Sequence, residues 1–559
     1  MEIAGAVFHG MTASVQAGLR HALSRRADGP PAPAPGRAGR GDPAAWLIAF
    51  VTFAAYTTIS VSRYLRLAPG TWDLGIYTEY VSRFAHLQAP VVPIKGHGFN
   101  LLGDHFTPIV ALIAPFFRLF PTPVTLLVAQ ALLTAISVVP VCRAARDRLG
   151  TGASRAIGAA YGLSWGLQQM VYFAFHEVAF AVPLLAFCLS ALVRRRPRAA
   201  ALWALPLVFV KEDQGITVAA IGLVMLAAGM VARQRARVNR AGLAQPRPAR
   251  TWIRAGGLLA GWGTAWSLLA ITVIIPYFNP HHQYRYWGDA GVLGAHGSIF
   301  SVTGLLAQFT HAGQEKLGTT LMLLLPVAFL ALGSPLVLIA IPGLALRFLS
   351  THATFWGTGF HYNAPVMPIM FLAAIDAMAR IAARSARHSP AGPRPVRAPP
   401  GPALPAGTVV TRLGASAMVV AAAGLAVSFP ISHLWQPWNY LISPWVRAEN
   451  AAMARVPDGV TVEASETMLA PLAARDDTSW IKNRGISDPR YIVIRAARHR
   501  SRQPPARVLR FVEAIHPGAV YRQVFKSGDV YVFRRVASAW QAGRDPAARA
   551  HPPGVLPAP

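Results

Sequence analysis

Three ionisable residues, Lys211, Glu212 and Asp213, stand together inside the apolar run LPLVFVKEDQGITVAAIGL. A charged side chain facing lipid costs roughly 2.5–3.5 kcal/mol on insertion scales, so charges in such a run face a polar cavity or one another. In a cavity they could hold a substrate, with the lysine as the partner of a phosphate. The structural alternative is that Lys211 and Glu212 neutralise each other at a helix end. Both interpretations are open from these residues alone.

Other acidic, imidazole and aromatic residues lie between apolar runs, in segments such as NLLGDHFTP, FAFHEVAF, HHQYRYW and GTGFHYN. Lys211, Arg285 and His361 are the candidate partners of a phosphate. The residues that we expect to bind a substrate are Asp104, His105, His176, Glu177, Lys211, Glu212, Asp213, Arg285, His361 and Tyr362. Paired acids and histidines could also hold a divalent metal, but no HExxH or CxxC spacing supports one. We therefore predict no cofactor, and leave a divalent metal open.

Asp73, in the stretch GTWDLGIYTEY, is the candidate catalytic residue. Flanking aromatic residues and glycines can restrict solvent and raise the basicity of a carboxylate. A general base for transfer onto a hydroxyl or amine needs such a carboxylate. The structural alternative is that Asp73 is the N-cap of a helix that begins at Leu74, since Asp is a preferred N-cap residue.

The elements that must position these residues are transmembrane helices. Hydrophobic residues make up 53% of the 559 residues and charged residues 14%, whereas ordinary globular chains have about 25% charged residues. Apolar stretches near the length needed to cross about 30 Å of hydrocarbon recur along the chain. We predict a mainly α-helical, polytopic bundle of about 11 spans between residues 44 and 432. The spans are expected near 44–64, 122–142, 155–175, 178–193, 199–210, 214–232, 253–276, 319–333, 335–350, 364–382 and 411–432.

The net charge of +30 is distributed over short arginine-rich segments between the spans. This distribution is typical of membrane topology and not of a nucleic-acid groove, so we expect no nucleic-acid partner. Five arginine-rich segments share one side if the span count is right, which predicts a cytoplasmic N-terminus and an outer C-terminus. Residues 1–43 are expected to be a disordered basic tail and 383–410 a basic, Pro-rich cytoplasmic linker. The outer loop 65–121 would contain an interfacial helix at 106–121.

The chain after the last span predicts a small extracytoplasmic α/β domain over 433–540. The stretches GVTVEAS and RYIVIRA indicate strands, ARVLRFVEAIH has helical spacing, and AVYRQVFKSGDVYVFRR predicts a hairpin that turns at Ser527, Gly528 and Asp529. ARDDTSWIKNRG lacks a clear aromatic-and-proline strand pattern, and its role is open from the sequence. The domain shows no nucleophile with its base, so a lid or docking role is expected. Residues 541–559 are expected to be disordered.

The motifs WDLGIY, NLLGDHFTPIVALIAPFFRLFP, FHEVAFAVPLLAF, VKEDQG and HYNAPVMPIMFLAAID resemble a family of bacterial predicted membrane proteins, domain of unknown function 2079, from about residue 44 to 382. That family is in turn similar to the C-fold (GT-C) glycosyltransferases. The resemblance implies a bacterial cytoplasmic-membrane enzyme that takes a sugar from a polyprenyl-phosphate carrier at the outer face. It also implies that Asp73, in the first outer loop, is the catalytic base.

The sequence thus predicts a membrane glycosyltransferase whose partners are a lipid-linked sugar donor, an envelope acceptor and membrane lipids. The rival class is a multi-span transporter or lipid flippase, which would use the same charges as a substrate path and needs no base. Transporters often contain paired inverted repeats with broken helices. Only one broken hairpin, at Lys211–Asp213, is evident in the sequence.

Overall fold

The computed structural model describes residues 42–68, 72–238, 247–286, 301–388, 406–481, 483, 485–496 and 505–538. Almost all of the expected tail 1–43, most of the linker 383–410 and the whole of 541–559 lie outside these ranges. Helices dominate up to residue 453 and a small sheet follows. The predicted class, a helical membrane bundle with a small C-terminal sheet, is confirmed.

The helices of the first half are α1 (Pro43–Leu65), α2 (Trp72–Ala85), α3 (Ala114–Leu119), α4 (Pro123–Ile136), α5 (Val138–Leu149), α6 (Thr151–Gly162), α7 (Trp165–Phe173), α8 (Val178–Val193), α9 (Pro197–Ala204) and α10 (Gln214–Val238). Those of the second half are α11 (Arg247–Leu269), α12 (Ile275–Phe278), α13 (Val302–Thr310), α14 (Gly313–Leu324), α15 (Ile341–Leu349), α16 (Val366–His388), α17 (Ala406–Ala426), α18 (Pro444–Met453), α19 (Leu469–Ala473) and α20 (Pro505–Ile515). The strands are β1 (Thr461–Ala464), β2 (Asp477–Trp480), β3 (Tyr491–Arg495), β4 (Ala519–Ser527) and β5 (Val530–Ser538).

The expected count of about 11 spans is not confirmed. Within the described residues, six helices are long and apolar enough to cross a membrane: Pro43–Leu65, Pro123–Leu149, Gln214–Arg237, Ala249–Phe278, Val366–Ser385 and Gly407–Ala426. Shorter apolar helices cover Pro108–Leu119, Val178–Val193, Pro197–Phe209 and Pro335–Leu349. The region 319–350 is divided into short helices and 3₁₀ turns, three of which have Pro326, Pro335 or Pro342 in their first turn. Proline favours these breaks because it lacks the backbone N–H that a helix interior requires.

Helix α1 shows how the sequence sets a span. Asp42 is its N-cap and accepts a hydrogen bond from the Ala45 backbone N–H at 3.3 Å, and Pro43 occupies the first helical position. The helix has 23 residues, so it is about 34 Å long and matches the thickness of the hydrocarbon core.

The arginines of three connections meet at the N-terminal end of α1. Arg146 pairs with Asp42 at 3.2 Å, and Arg194 pairs with Asp147 at 2.7 Å. Arg380, at the end of α16, acts electrostatically on the neighbouring Arg148. Arginines that are far apart in the chain therefore share one end of the bundle, as the positive-inside pattern requires.

Helices α10 and α11 form a tightly packed hairpin. A Cβ atom added to Gly222 would lie 2.4 Å from the backbone nitrogen of Ala260, and one added to Gly256 would lie 2.5 Å from that of Leu226. Small residues at such crossings let the two backbones touch, which is how helices pack without a hydrophobic driving force between them.

The C-terminal domain is a five-stranded sheet in the order β2-β1-β3-β5-β4. β1 pairs in parallel with β2 and β3, and β5 is antiparallel to β3 and β4. The hairpin predicted to turn at Ser527–Asp529 is confirmed by β4 and β5. Within ARDDTSW, residues Asp477–Trp480 form the edge strand β2. β2 has four residues and lies at the edge of the sheet, where strand propensity depends strongly on context. Its sequence therefore shows no regular alternation of apolar and polar residues.

We predict that Gly222→Ala lowers the unfolding temperature of the purified protein in detergent, because its Cβ would collide with the α11 backbone. Overpacking of this kind typically costs about 1–3 kcal/mol. The matched control is Gly261→Ala on the exposed side of α11, where nothing lies within 4 Å of the added Cβ. It should be neutral or slightly stabilising, since alanine favours helix over glycine by up to about 1 kcal/mol. Equal unfolding temperatures for the two variants would contradict this packing.

Candidate functional site

A cavity of about 700 Å³ opens among the segments that carry the expected site residues. Its walls come from the start of α2, the loop before α3, the α7–α8 connection, the break before α10, the chain after α12 and the segment around α15. The predicted residues that line it are Asp73, Asp104, His105, His176, Glu177, Lys211, Glu212, Asp213, His361 and Tyr362. Arg285 is exposed and does not belong to this lining.

The charges of the Lys211–Asp213 stretch pair with other segments. Lys211 Nζ lies 3.2 Å from Glu177 Oε1, and Glu212 Oε1 lies 2.7 Å from His105 Nδ1. The stretch lies between a 3₁₀ turn, Leu205–Phe209, and the first residue of α10. The alternative in which Lys211 and Glu212 neutralise each other is therefore wrong, because each has a closer partner elsewhere in the chain.

Glu212 accepts hydrogen bonds from three groups of the cavity wall, the first of which is the His105 ring. Its Oε2 accepts from the Phe106 backbone N–H at 3.2 Å, and its Oε1 also accepts from the Tyr284 hydroxyl at 3.1 Å. Such a carboxylate organises the wall of the cavity, because three donors already occupy most of its acceptor sites. Next to it, burial raises the pKa of Asp213.

Asp104 belongs to a neighbouring ion pair. Its Oδ2 lies 2.9 Å from Lys95 Nζ, and the Lys95 ammonium lies 5.2 Å from the centre of the Trp72 ring. Burial alone would raise the pKa of Asp104, but the charges of His105 and Lys95 outweigh burial and lower it. Asp104 is therefore an anion whose charge is already compensated.

Asp73 makes one polar side-chain contact among the described residues. The helix α2 begins at Trp72 and not at Leu74, so Asp73 lies in its first turn and the N-cap alternative is wrong. A carboxylate there is favoured by the helix dipole. Its Oδ2 lies 3.5 Å from His176 Nε2, and 27% of its side chain is exposed. Asp73 thus keeps acceptor capacity that faces the cavity.

His176 and His361 form a stack beside Asp73, with ring centres 3.5 Å apart. Burial would lower the pKa of His176, but its contacts with Asp73 and Glu177 outweigh burial and raise it. The pKa of His361 is lowered far below its usual value by burial and by the charge of His176. These opposite shifts of pKa favour a proton on His176 over one on His361, whose buried Nδ1 has no hydrogen-bond partner among the described residues.

Glu177 lies next to His176 and connects it to two other segments of the cavity wall. It accepts a short hydrogen bond from the Tyr77 hydroxyl of α2 and pairs with Lys211. Burial would raise its pKa, but Lys211 and His176 outweigh burial and lower it well below the usual range. Glu177 therefore holds α2, the α7–α8 connection and the break before α10 together.

Sequence reasoning missed Arg347, a cation that lines the cavity from α15. Its guanidinium donates to the carbonyl oxygens of Phe355 at 2.8 Å and Tyr362 at 3.1 Å, and to Asn363 Oδ1 at 3.0 Å. These acceptors are neutral, and none of the ion pairs found in the described part of the chain involves Arg347. A lone arginine in the apolar segment Pro335–Leu349 carries the same signal as Lys211, but its place near the end of a predicted span resembles that of an arginine that marks topology.

Tyr362 connects this cation to Asp73. The Arg347 guanidinium lies 5.6 Å from the centre of the Tyr362 ring. The pKa of Tyr362 is raised to about 12, mainly by burial; Lys211 lowers it and the Asp73 charge raises it. The Arg347 guanidinium therefore lies beside the Tyr362 ring, and the charge of Asp73 acts on the Tyr362 hydroxyl.

Metal ligation has no ready-made geometry in the part of the chain that the structure describes. No group of three or more His, Cys, Asp or Glu side chains there is arranged to hold an ion. The acids that would be its ligands pair instead with Lys95, Lys211 and His105.

The C-terminal sheet supports α2 from outside the cavity. Arg83 Nη2 lies 3.2 Å from Glu79 Oε1 on the same helix and 2.7 Å from Asp477 Oδ1 on β2. Trp72 contacts Trp480, with ring centres 5.6 Å apart. Burial raises the pKa of Glu79 to about 8, with Arg83 opposing the shift.

A helical membrane bundle with charges buried in one cavity and a sheet docked on its rim defines the class of this chain. Residues 63–509 match the family described as "Predicted membrane protein (DUF2079)", and the chain belongs to that family. No curated protein matches the sequence.

Solved structures with a similar chain course include ArnT from Cupriavidus metallidurans bound to undecaprenyl phosphate, with 15% identity, a TM-score of 0.46, and coverage of 88% of this chain and 98% of that one. The apo state of the same protein gives 15% identity, a TM-score of 0.46, and coverage of 89% and 99%. The archaeal oligosaccharyltransferase AglB from Archaeoglobus fulgidus, in complex with an inhibitory peptide and a dolichol-phosphate, gives 11% identity, a TM-score of 0.37, and coverage of 89% and 74%. Because these identities and TM-scores are low, the residues of the cavity must carry any assignment of function.

We predict that the stability of the protein falls as the pH rises from about 4.5 to about 8, in part through Glu79. Its pKa is about 8 in the folded protein, above the ordinary 4.5. Between these values the folded state keeps a proton that the unfolded state has lost, so raising the pH favours unfolding by at most about 1.4 kcal/mol per pH unit. Glu79→Gln should be less sensitive to pH than the wild type by thermal unfolding in detergent. The exposed Glu315→Gln is the control, and identical pH profiles for all three proteins would contradict the role of Glu79.

Proposed function

We propose that the protein is a membrane glycosyltransferase that moves a sugar from a polyprenyl-phosphate carrier to an envelope acceptor at the outer face of the bacterial cytoplasmic membrane. The observation that carries this proposal is the presence, in one cavity, of an accessible carboxylate, Asp73, and a partly buried cation, Arg347, that has no carboxylate partner among the described residues. Sugar transfer from a phosphate carrier requires these two groups, one to accept a proton and one to stabilise a departing phosphate.

Asp73 is the proposed base. The acceptor oxygen attacks the anomeric carbon of the sugar while its proton passes to the Asp73 carboxylate. The bond between the anomeric carbon and the phosphate oxygen breaks, and the electron pair leaves with the polyprenyl phosphate. The neighbouring His176 Nε2 lies 3.5 Å from the Asp73 carboxylate and holds it in place.

Arg347 is the proposed partner of the phosphate. The leaving group gains one negative charge as the bond breaks, so a fixed cation stabilises the transition state more than the bound donor. The sequence favoured Lys211, Arg285 or His361 for this role. Lys211 is compensated by Glu177 and Arg285 lies outside the cavity lining, so Arg347 replaces them, with the neutral His361 as an additional hydrogen-bonding group.

The rest of the cavity fits an isoprenoid donor. Aliphatic side chains line its wall beside the ionisable groups, among them Leu185, Ile216, Ile339, Leu344 and Ile369. An apolar wall next to a phosphate-stabilising cation suits a lipid-linked sugar better than a free sugar nucleotide, which would need polar contacts along its whole length. The arginine-rich end of the bundle would face the cytoplasm and the C-terminal domain would lie outside.

We predict that Asp73→Asn lowers sugar transfer by about 10²–10⁴-fold, the usual contribution of a general base. Mass spectrometry of envelope glycans and lipid-linked sugars would compare cells that lack the gene with cells that re-express each variant. Asp73→Asn should give the products of the deletion, with the lipid-linked donor accumulating. The control is Asp147→Asn, at the arginine-rich end of the bundle, which should give wild-type products. Wild-type products from Asp73→Asn would contradict the proposed glycosyltransferase mechanism and favour the transporter alternative, which needs no base.

We predict that Arg347→Gln lowers transfer by about 10²–10³-fold, as removal of a donor to a developing oxyanion does. Arg347→Lys keeps the charge and should retain more activity than the glutamine variant. Because Arg347 also binds backbone carbonyls, thermal unfolding in detergent must show that both variants fold. Full activity of folded Arg347→Gln, or equal activities of the two variants, would contradict charge stabilisation by this residue.

A further inference from the structure

The C-terminal ends of two candidate spans, α1 and α17, meet at one surface of the bundle. The chain after α17 forms two 3₁₀ turns, Pro430–Trp435 and Pro437–Tyr440. Asn439 in the second turn is fully buried and donates to Ser62 Oγ at 2.9 Å near the end of α1. Both helices are long enough to cross the hydrocarbon core, so this junction lies at the level of the lipid headgroups.

Two arginines of α1 are held at this junction by aromatic rings. Arg66 Nη2 donates to Asn439 Oδ1 at 2.9 Å, and its guanidinium lies 5.0 Å from the centre of the Trp438 ring. The Arg63 guanidinium lies 4.8 Å from the centre of the Tyr172 ring. Glu466 acts on the charge of Arg63, whereas none of the ion pairs found among the described residues involves Arg66. The Nε of Arg66 is buried and has no hydrogen-bond acceptor in the described part of the chain.

His433 lies near both arginines and packs against the two aromatic rings that contact them. Its ring centre lies 4.9 Å from that of Tyr172 and 4.9 Å from that of Trp438. Burial lowers its pKa, and the charges of Arg66 and Arg63 lower it further. Its Nδ1 is buried without a partner among the described residues. Among the described residues, Arg66 Nε and His433 Nδ1 therefore have unused hydrogen-bonding capacity, and no ion pair involves the Arg66 charge.

The turns that cover the arginines expose large apolar and aromatic side chains. Trp435 is 74% exposed, Trp438 46%, Tyr440 49% and Leu441 66%. In a soluble protein such a run would be a costly surface, whereas Trp and Tyr are enriched where a membrane protein crosses the headgroup region. The surface is thus suited to lipid, with its cations directly behind the aromatic residues.

We infer that Arg63, Arg66 and His433 form a binding site for the phosphodiester headgroup of an anionic phospholipid, with Trp435, Trp438 and Tyr440 inserted among the neighbouring lipids. Arginine presents several donors to a phosphate in a fixed fork, and a phosphate placed there would use the Arg66 charge, which no carboxylate of the described residues compensates. The site is separate from the cavity. Tyr172 holds Arg63 on one side of the α7 end, whereas its neighbour Phe173 lines the cavity.

The test is lipid-dependent thermal unfolding of the full-length purified protein in detergent. The protein is titrated with dioleoyl-phosphatidylglycerol or with dioleoyl-phosphatidylcholine, which differ in headgroup charge and share their chains. The wild type should gain unfolding temperature from phosphatidylglycerol at lower lipid concentration than from phosphatidylcholine. Arg66→Gln and, separately, Arg63→Gln should shift the phosphatidylglycerol midpoint about five-fold upward, the loss expected for one basic residue at a lipid surface. Arg522→Gln, an exposed arginine on β4 of the C-terminal domain, should leave the midpoint unchanged.

Equal stabilisation by both lipids in the wild type, or an unchanged phosphatidylglycerol midpoint in both Arg66→Gln and Arg63→Gln, would overturn the inference. Each variant is compared with itself in lipid-free detergent, so a general loss of stability does not imitate loss of lipid binding. Because the assay does not involve sugar transfer, it succeeds or fails independently of the proposed function.

Discussion

Compensation of buried charge is the constraint on which the cavity depends. Ionised groups at this depth are tolerated only with partners, and the partners come from segments that are distant in the chain. Glu177 holds Lys211 and Tyr77, and Glu212 holds His105 and Tyr284. Each pair ties two or three segments together, so the cavity walls and the charges inside them specify one another. Asp73 and Arg347 stand out because, among the described residues, Asp73 has one contact at 3.5 Å with His176 and the hydrogen-bond acceptors of Arg347 are all neutral.

Much of the architecture could be predicted because hydrophobic length and arginine placement are local signals. The helical membrane bundle, the C-terminal sheet and the break at Lys211–Asp213 follow from them. The number of spans could not be predicted in the same way. Apolar composition extends through the segment 319–350, where prolines interrupt the helices. Hydropathy measures what the bilayer accepts, whereas the length of a helix depends on backbone hydrogen bonds.

The site residues were predictable as types but not as pairs. An acid or histidine in an apolar setting is visible in the sequence, but the partner of Lys211 depends on three-dimensional packing. Glu212 is its neighbour in the chain, and Glu177 is its partner in space. Arg347 was missed for a related reason, since an arginine at a membrane boundary and one inside a cavity look alike in a linear sequence. The difference lies in what the guanidinium contacts, here three neutral acceptors.

The contact between α2 and the edge strand β2 has a consequence for biosynthesis. Arg83 and Asp477 are separated by 394 positions in the chain. At translation rates of about 5–20 residues per second, the helix that carries Asp73 waits on the order of 20–80 seconds for the strand that braces it. During this interval the nascent chain exposes the hydrophobic back of α2, around Gly75, which later receives Leu469. The last domain to be made therefore completes the wall of the cavity, and a chain truncated before residue 477 would insert its helices but leave that wall unsupported.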